Sequence, residues 1–239
     1  MIKLIAAITM LIDHIGALLF PKISILRIVG RIAMPLFGFS VARGFYYSEK
    51  NKKTKKYLKN LLLFSIVSQI PFTFFALKII DKFLLNIGFV WLLAVIVLKC
   101  LENIKLPLNK NRLLLILLVV AIFLFTIFVP MDYGFYAILF VLVFYYTIFK
   151  TQKPFLCVCL IFSTYVYYIF ENSIPLALKY KVPLIRIILR ETQVFSILAV
   201  FFVLIFKKKD LKILPGRFFY WFYPAHIAAL MLVKTVFLN

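Results

Sequence analysis

Long apolar stretches, separated by short polar ones, follow each other along the whole chain. Several approach the length of about 20 residues that a helix needs to cross a lipid bilayer. Backbone polar groups in lipid must be hydrogen-bonded within the protein, and the alternation typical of a membrane β-barrel is absent, so these stretches are predicted to be helices. The predicted segments are residues 4–20, 28–46, 58–77, 83–98, 113–129, 135–149, 155–170, 194–206 and 218–237. The pattern predicts an all-α, polytopic integral membrane bundle of about nine transmembrane helices, forming one domain over residues 1–239.

A further stretch, residues 172–192, is apolar but interrupted by Lys179, Lys181, Pro183 and Arg186. Charged residues are costly inside hydrocarbon. This stretch is therefore predicted to be an amphipathic helix at the membrane interface.

The composition agrees with a membrane protein. Hydrophobic residues make up 65% of the chain and the mean hydropathy is +1.05, whereas soluble domains are roughly half apolar. A net charge of +21 would suggest nucleic-acid binding in a soluble protein, but here the charges are grouped between apolar segments. The lipid bilayer is therefore the expected partner, and no nucleic acid is expected.

Basic clusters follow the second, fourth and eighth apolar segments. Alternating spans would place all three clusters on one side, which the positive-inside rule makes the cytoplasmic side. This predicts a multi-pass plasma-membrane protein with a cytoplasmic N terminus, although the basic residues after the seventh segment do not fit this topology. The clusters are Lys50, Lys52, Lys53, Lys55, Lys56 and Lys59; Lys99, Lys105, Lys110 and Arg112; and Lys207, Lys208, Lys209 and Lys212.

Ionisable residues inside the apolar segments indicate chemistry. The chain has two histidines, His14 beside Asp13 in the first segment and His226 in the last. A membrane segment that contains such groups generally turns them toward the protein interior, where they serve a function. His14 is predicted to be a general base or an acyl carrier, with a carboxylate from Asp13, or from Asp132 at an external turn, stabilising its imidazolium. The alternative is a histidine that is simply hydrogen-bonded between helices.

Arg27 and Arg31 are four residues apart and therefore share one helical face, with Gly30 allowing close approach of a neighbouring helix. They could balance Asp13 or bind an anionic group. Arg43 is a candidate contact for a phosphate group because it lies near the apolar part of the second segment. The three cysteines form no metal-binding or disulfide pattern, so no metal is expected.

Four stretches together are similar to one known family: residues 3–16 (KLIAAITMLIDHIG), 26–37 (LRIVGRIAMPLF), 132–134 (DYG) and 223–226 (YPAH). They resemble the TraX family, which is named for a conjugal-transfer protein that N-acetylates pilin subunits and is similar to the wider group of membrane-integral acyltransferases. The resemblance runs from the first apolar segment to the last.

This resemblance implies an acyltransferase that moves an acetyl or other acyl group from cytoplasmic acyl-coenzyme A, with acetyl-CoA as the expected co-substrate. The acceptor would be an amine or hydroxyl in or across the membrane: a protein N terminus, a sugar or a lipid-linked group. It also assigns roles to residues. His14 and Asp13 would lie at the catalytic centre, Arg27 and Arg31 would contact the donor or a counter-charge, and Tyr223 and His226 would form the opposite wall.

The chain differs from the family at residues 68–73. Members often have Ser-Glu-Ile-Pro-Phe-Asp there, whereas this chain has Ser-Gln-Ile-Pro-Phe-Thr and so lacks two carboxylates. If either acid is a proton acceptor or an amine anchor in the family, this chain is expected to use another acceptor or a neutral hydrogen bond, with Gln69 as the candidate binding residue.

A proton-coupled transporter or lipid flippase is the alternative function. In that case Asp13, His14, Arg31 and His226 would form a proton or substrate relay. Transporters commonly contain internal repeats, and the two halves of this chain show no convincing similarity to each other.

Overall fold

The computed structural model describes residues 1–103, 110–207 and 214–237, and in this part of the chain it is helical apart from turns and one isolated bridge between Leu85 and Met131. The α-helices are α1 Ile2–Leu18, α2 Ser24–Gly30, α3 Ala33–Lys50, α4 Thr54–Ile80, α5 Ile87–Asn103, α6 Lys110–Phe128, α7 Gly134–Phe144, α8 Pro154–Tyr168, α9 Ile174–Tyr180, α10 Leu184–Arg190, α11 Ala199–Phe206 and α12 Gly216–Phe237. Two π-helical turns, Tyr145–Lys150 and Ile169–Ser173, and a 3₁₀ helix, Thr192–Leu198, join some of them.

The predicted all-α class is confirmed, and each predicted apolar segment falls mostly on helical residues, although α5 begins only at Ile87 and α1 ends at Leu18. Three helical stretches are long and apolar enough to cross a membrane: Ser24–Lys50, Thr54–Ile80 and Pro154–Tyr180. The predicted count of about nine transmembrane helices is not confirmed. The second apolar segment is also less regular than predicted, because a turn at Arg31 and Ile32 separates α2 from α3.

Residues 172–192 do not form the single amphipathic helix that the sequence predicts. Their first half continues α8 through a π-helical turn into α9, which ends at Lys181 in the left-handed conformation with a φ of 52°. Pro183 then precedes the separate helix α10. A left-handed residue followed by proline is a common helix end, and it divides this stretch into two elements.

Two glycines let α1 and α2 approach each other closely. A Cβ atom at Gly16 would lie 2.6 Å from Leu26 Cβ, and one at Gly30 would lie 2.2 Å from both Cβ and Oδ1 of Asp13. No side chain fits in those spaces. The absence of side chains at these positions therefore brings the Asp13 carboxylate directly against the backbone of α2.

Ion pairs hold several helix ends together. Lys99 at the end of α5 contacts Glu49 at the end of α3 at 2.8 Å, and Lys150 contacts Glu102 at 2.6 Å. Lys3 lies over the ring of Phe219 at 5.8 Å, which brings the starts of α1 and α12 together. We call the end of the bundle with Glu49, Lys99 and Lys150 the basic end. The side chains of Lys105, Lys110, Arg112, Lys208, Lys209 and Lys212 lie outside the part that the structure describes.

At the opposite end, two loops pair with each other. The amide of Leu85 donates to Pro130 O at 2.9 Å, and the amide of Asp132 donates to Leu85 O at 2.9 Å. These bonds fix the turn between α6 and α7, where Tyr133 is left-handed with a φ of 60°. Asp132 is therefore held in a defined position by its backbone.

Candidate functional site

A cavity of about 140 Å³ runs through the bundle beside α1. Lys3 and Phe219 line it at the basic end, whereas His14, Asp132 and Tyr133 line it deeper in the protein. Lys3 and His14 are eleven residues apart on one helix, which corresponds to roughly 16 Å. Most of the wall between them is apolar, formed by Met10, Met34, Phe37, Leu61, Phe64 and Trp91. We call this space the central cavity.

The two histidines meet at the deep part of the central cavity. His14 Nδ1 lies 2.7 Å from His226 Nε2, and the rings meet edge to edge and nearly coplanar, with centroids 5.0 Å apart and planes inclined by 8°. The other nitrogen of His226, Nδ1, lies 2.7 Å from the carbonyl oxygen of Phe222. A carbonyl oxygen only accepts hydrogen bonds, so His226 Nδ1 carries a proton and donates it.

This bond fixes the protonation of both neutral rings. Because neutral His226 has its proton on Nδ1, its Nε2 accepts the hydrogen bond from His14 Nδ1–H. His14 then has a lone pair on Nε2, the nitrogen outside this chain of bonds. The arrangement sets the tautomer of a potential base, as the buried carboxylate does in a serine-protease triad.

Aromatic rings surround the pair. Phe75 lies 4.8 Å from the His14 ring and Phe222 lies 4.9 Å from the His226 ring, measured between centroids. The ring of Tyr223 lies 6.3 Å from that of His14, and its hydroxyl is buried with no hydrogen-bond partner among the described residues. Tyr223 also lines the central cavity. An unpaired O–H donor therefore lies near the histidine pair.

Asp13 contacts the arginines instead of His14. Its Oδ2 accepts from Arg27 Nη1 at 2.8 Å, and its Oδ1 lies 3.3 Å from Arg31 Nη2. Adjacent residues on a helix point in different directions, which explains why Asp13 and His14 have different partners. The partner of His14 in this structure is thus the His226 ring and not a carboxylate.

Arg31 makes further contacts with residues far away in the sequence. Its Nη1 donates to Tyr133 Oη at 3.0 Å and to Gln193 Oε1 at 3.2 Å. Gln193 was not predicted from the sequence as a site residue. The signal that could have identified it is an amide side chain directly before the apolar segment 194–206.

Asp132 is the carboxylate that shares the central cavity with His14 and Asp13. It belongs to the turn before α7, outside the helices. Burial raises the pKa of the Asp132 carboxyl to about 7, although the positive charge of Arg31 acts in the lowering direction. Asp132 is therefore able to exchange a proton near neutral pH.

Two predicted binding residues lie elsewhere. Gln69 Nε2 donates to Leu84 O at 2.8 Å and to Thr73 Oγ1 at 3.0 Å, and its Oε1 accepts from both the backbone and side-chain amides of Asn86. These bonds fasten α4 to the segment before α5. Arg43 is half-buried on α3 and, like Gln69, is not among the residues that line the two cavities described in this section.

A second cavity, of about 310 Å³, lies on the other side of the arginines. We call it the outer pocket; its lining residues are Pro21, Ser24, Arg27, Arg31, Tyr168, Glu191, Thr192 and Gln193. Asp13 and Gly30 line the central cavity. Arg27 and Arg31, which form ion pairs with Asp13, line the outer pocket. The ion pairs of Asp13 therefore separate the two spaces. Within the described residues, no group of three or more His, Cys, Asp or Glu side chains could hold a metal ion.

Membrane-length apolar helices, a partly buried histidine pair and a cluster of charges between helices are the features of a membrane protein with an internal polar site. The family model described as "TraX protein" matches residues 1–234. The chain therefore belongs to the TraX family, which is associated with conjugal pili, and the resemblance predicted from the sequence motifs is confirmed.

Two curated proteins share part of the sequence. An uncharacterized protein of Rickettsia prowazekii, RP591, is 39% identical over 70 residues, which cover 29% of this chain and 25% of that protein. A "Probable fimbrial assembly protein FimC, serogroup H1" of Dichelobacter nodosus is 41% identical over 76 residues, which cover 30% of this chain and 29% of that protein. The matched part thus spans less than a third of either relative. No solved structure matches the chain.

Proposed function

We propose that this protein is a membrane-embedded acyltransferase that moves an acetyl or other acyl group from acyl-CoA to an amine or hydroxyl, with His14 as the general base. One observation carries the proposal. The hydrogen bonds from His14 to His226, and from His226 to the carbonyl of Phe222, leave His14 Nε2 as a lone-pair nitrogen in a ring that lines the central cavity.

The chemistry requires a proton acceptor. As the amine or hydroxyl attacks the thioester carbonyl, His14 Nε2 takes its proton, and the imidazolium that forms keeps its Nδ1–H bond to His226. The carbon–sulfur bond then breaks, and His14 returns the proton to the thiolate of coenzyme A. The new carbon–nitrogen or carbon–oxygen bond remains on the acceptor. In the alternative sequence, Nε2 attacks the thioester itself, and the carbon–sulfur bond breaks to give an acyl-histidine and the thiolate of coenzyme A. The amine or hydroxyl then attacks the acyl-histidine, the carbon–nitrogen bond to His14 breaks, and the proton of the acceptor passes to the thiolate.

Tyr223 is suited to stabilise the negative charge of this reaction. Its hydroxyl is buried, has no described partner and belongs to a residue lining the same cavity as His14. A donor fixed near the thioester oxygen stabilises the charge that develops there in the transition state. Asp132, with its near-neutral pKa, would take the proton that an ammonium group must lose before it attacks.

The shape of the central cavity fits a donor that enters from the basic end. A narrow, mostly apolar passage of roughly 16 Å between Lys3 and His14 suits the extended pantetheine arm of coenzyme A. The lysines between Lys50 and Lys59 would attract its phosphate groups, with Arg43 as a further contact. In this proposal the basic end and the N terminus face the cytoplasm, in accordance with the positive-inside rule.

The family and one relative suggest a biological setting. TraX proteins are associated with conjugal pili, and the Dichelobacter nodosus relative carries a name in fimbrial assembly. A protein N terminus is therefore the acceptor to test first, followed by a sugar and a lipid-linked group.

The transporter alternative has less support. Asp13 and Arg31 form one contact and His14 and His226 form another. Among the described hydrogen bonds, none connects these two pairs into a continuous relay.

The test is turnover of acetyl-CoA by the protein in nanodiscs, followed as release of free thiol, with binding of acetyl-CoA measured by calorimetry. His14→Ala is expected to lower the rate by about 10²–10⁴-fold, the usual contribution of a general base. Ser163→Ala, at an exposed position on α8, is the matched control and is expected to behave as wild type. Thiol release that does not depend on His14, or failure of the wild type to bind acetyl-CoA, would refute the proposal.

A further inference from the structure

The outer pocket has a chemical character that the proposed reaction does not use. Arg27 and Arg31 both reach it, and the Arg27 side chain is 30% exposed there. Asp13 is the acidic group that the structure pairs with them, and it approaches from the central cavity. The pocket wall therefore presents two guanidinium groups with one direct counter-charge.

Two buried donors beside this pocket are incompletely paired. Arg31 is 9% exposed and its Nε has no hydrogen-bond partner among the described residues, whereas Gln193 is 3% exposed and its amide nitrogen makes only a loose contact, with the Tyr136 hydroxyl. Both groups carry N–H bonds and cannot accept. Buried N–H groups are normally paired, so this incomplete pairing indicates a missing acceptor.

We propose that the outer pocket binds an oxyanion, a carboxylate or a phosphate, carried by the acceptor substrate. Arg27 and Arg31 would supply the charge-assisted hydrogen bonds, and small rotations would bring the unpaired Nε–H of Arg31 and the loosely held amide N–H of Gln193 to the same oxygens. This assignment of the oxyanion to the acceptor rests on the proposed acyltransferase function. It names the chemical class of the substrate that enters opposite the donor.

Glu191 refines this class. It lines the same pocket, where it interacts with Tyr168, and Ser24 and Thr192 add hydroxyl groups. A carboxylate there would repel a purely anionic molecule and accept from a hydroxyl or an ammonium group. The pocket therefore suits a ligand in which an oxyanion is accompanied by such donors, as in a sugar phosphate or an amino acid.

The acceptor would then reach His14 across a thin boundary. Arg31 contacts the Asp13 carboxylate on one side and the outer pocket on the other. An oxyanion bound to Arg31 competes with Asp13 for the same guanidinium. Binding would thus weaken the ion pair that closes the central cavity and bring the attacking group toward the histidines.

Binding is tested in nanodiscs by calorimetry with three probes: glucose 1-phosphate, L-glutamate and glucose. At least one of the two anionic probes is expected to bind and glucose is not, and the preferred anion distinguishes a phosphate source from a carboxylate source. Gln193→Leu and Arg27→Gln are each expected to weaken anion binding by about tenfold or more. Asn172→Leu, an exposed amide replaced in the same way, is expected to leave it unchanged.

The outcomes separate this inference from the proposed function. If acetyl-CoA binds and turns over but neither anion binds, or if anions bind equally to Gln193→Leu and Arg27→Gln, the oxyanion site is wrong and the acyltransferase stands. If an anion binds with the expected loss in the variants but acetyl-CoA does not bind, the acyltransferase is wrong and the anion site stands without its assignment to an acceptor. A thermal unfolding curve for each variant identifies loss of binding that results from misfolding.

Discussion

His14 and His226 are 212 positions apart in the chain, and their ring nitrogens lie 2.7 Å from each other. The contact joins the first and the last helix. It also gives the two rings unequal roles, because the Phe222 carbonyl holds the proton of His226 and makes that ring the acceptor. In the proposed reaction, His14 exchanges protons with substrate and His226 positions it.

Replacing His226 by phenylalanine retains an aromatic ring but removes the acceptor for His14 Nδ1–H. We expect the rate of thiol release to fall by about 10²-fold, because His14 loses its fixed tautomer and the stabilisation of its imidazolium. Phe222→Leu removes a neighbouring ring but keeps the backbone carbonyl, so its rate should fall much less. Equal losses in the two variants would indicate that ring packing, and not the hydrogen bond, is what matters.

The Tyr223 hydroxyl is expected to act in the transition state. Tyr223→Phe removes one O–H group and should lower the maximal rate by about 10²-fold with little change in the binding of acetyl-CoA. Tyr220→Phe is the matched control, because Tyr220 lines the same cavity one helical turn away. A change in acetyl-CoA affinity without a change in maximal rate would assign Tyr223 to donor binding instead.

Asp13→Asn leaves the buried Arg31 and the half-buried Arg27 without their direct counter-charge. Breaking a buried ion pair from one side costs about 3 kcal/mol, so the thermal unfolding midpoint should fall clearly. Asp81→Asn, at an exposed left-handed position where asparagine is well tolerated, should have no effect. If the two variants unfold at the same temperature, the Asp13 ion pairs do not stabilise the protein.

Gly30→Ala is expected to push α1 away from α2. The new Cβ would lie 2.2 Å from Asp13 Cβ, a distance that only movement of the backbone can relieve, at a cost of about 1–3 kcal/mol. Gly38→Ala is the control, since its Cβ would meet Phe140 Cβ at an ordinary 3.5 Å. Thermal unfolding of both variants measures the difference, and equal stability would mean that α1 and α2 are not closely packed at Gly30.

Asp132 should make stability depend on pH. Its pKa is about 7 in the folded protein and about 4 in an unfolded chain, so the folded state holds more protons between these values. Stability from this group is therefore greatest near pH 4 and decreases as the pH rises toward 7. Asp132→Asn should reduce that slope in the unfolding midpoint, whereas Asp81→Asn should retain it. An unchanged slope in Asp132→Asn would show that this carboxyl ionises normally.

The helices and their order follow from the apolar pattern, because burial of backbone polar groups in lipid leaves few alternatives. The pattern also identified His14, His226 and the charged residues as unusual. It could not predict which of them meet. Whether Asp13 turns toward His14 or toward Arg27 depends on its direction on α1 and on the space that Gly30 leaves, and both are set by helix packing.

The roles of Gln69 and Gln193 could not be predicted from the sequence. The resemblance to the family made Gln69 a candidate for substrate binding, yet its hydrogen bonds in the structure join α4 to Leu84 and Asn86. The sequence did not predict Gln193 as a site residue, yet its Oε1 accepts a hydrogen bond from Arg31, which lies 162 positions away in the chain. An amide side chain is uncharged and occurs in many surroundings. Its role therefore depends on which residues the fold places next to it.

The ion pairs of Asp13 with Arg27 and Arg31 lie between the central cavity and the outer pocket. The central cavity approaches them from one side and the outer pocket from the other, so a few side chains separate the two spaces. A membrane that stores energy as an ion gradient cannot tolerate a continuous water path. If the two cavities open on opposite sides of a membrane, the salt bridges of Asp13 would interrupt the water path between them.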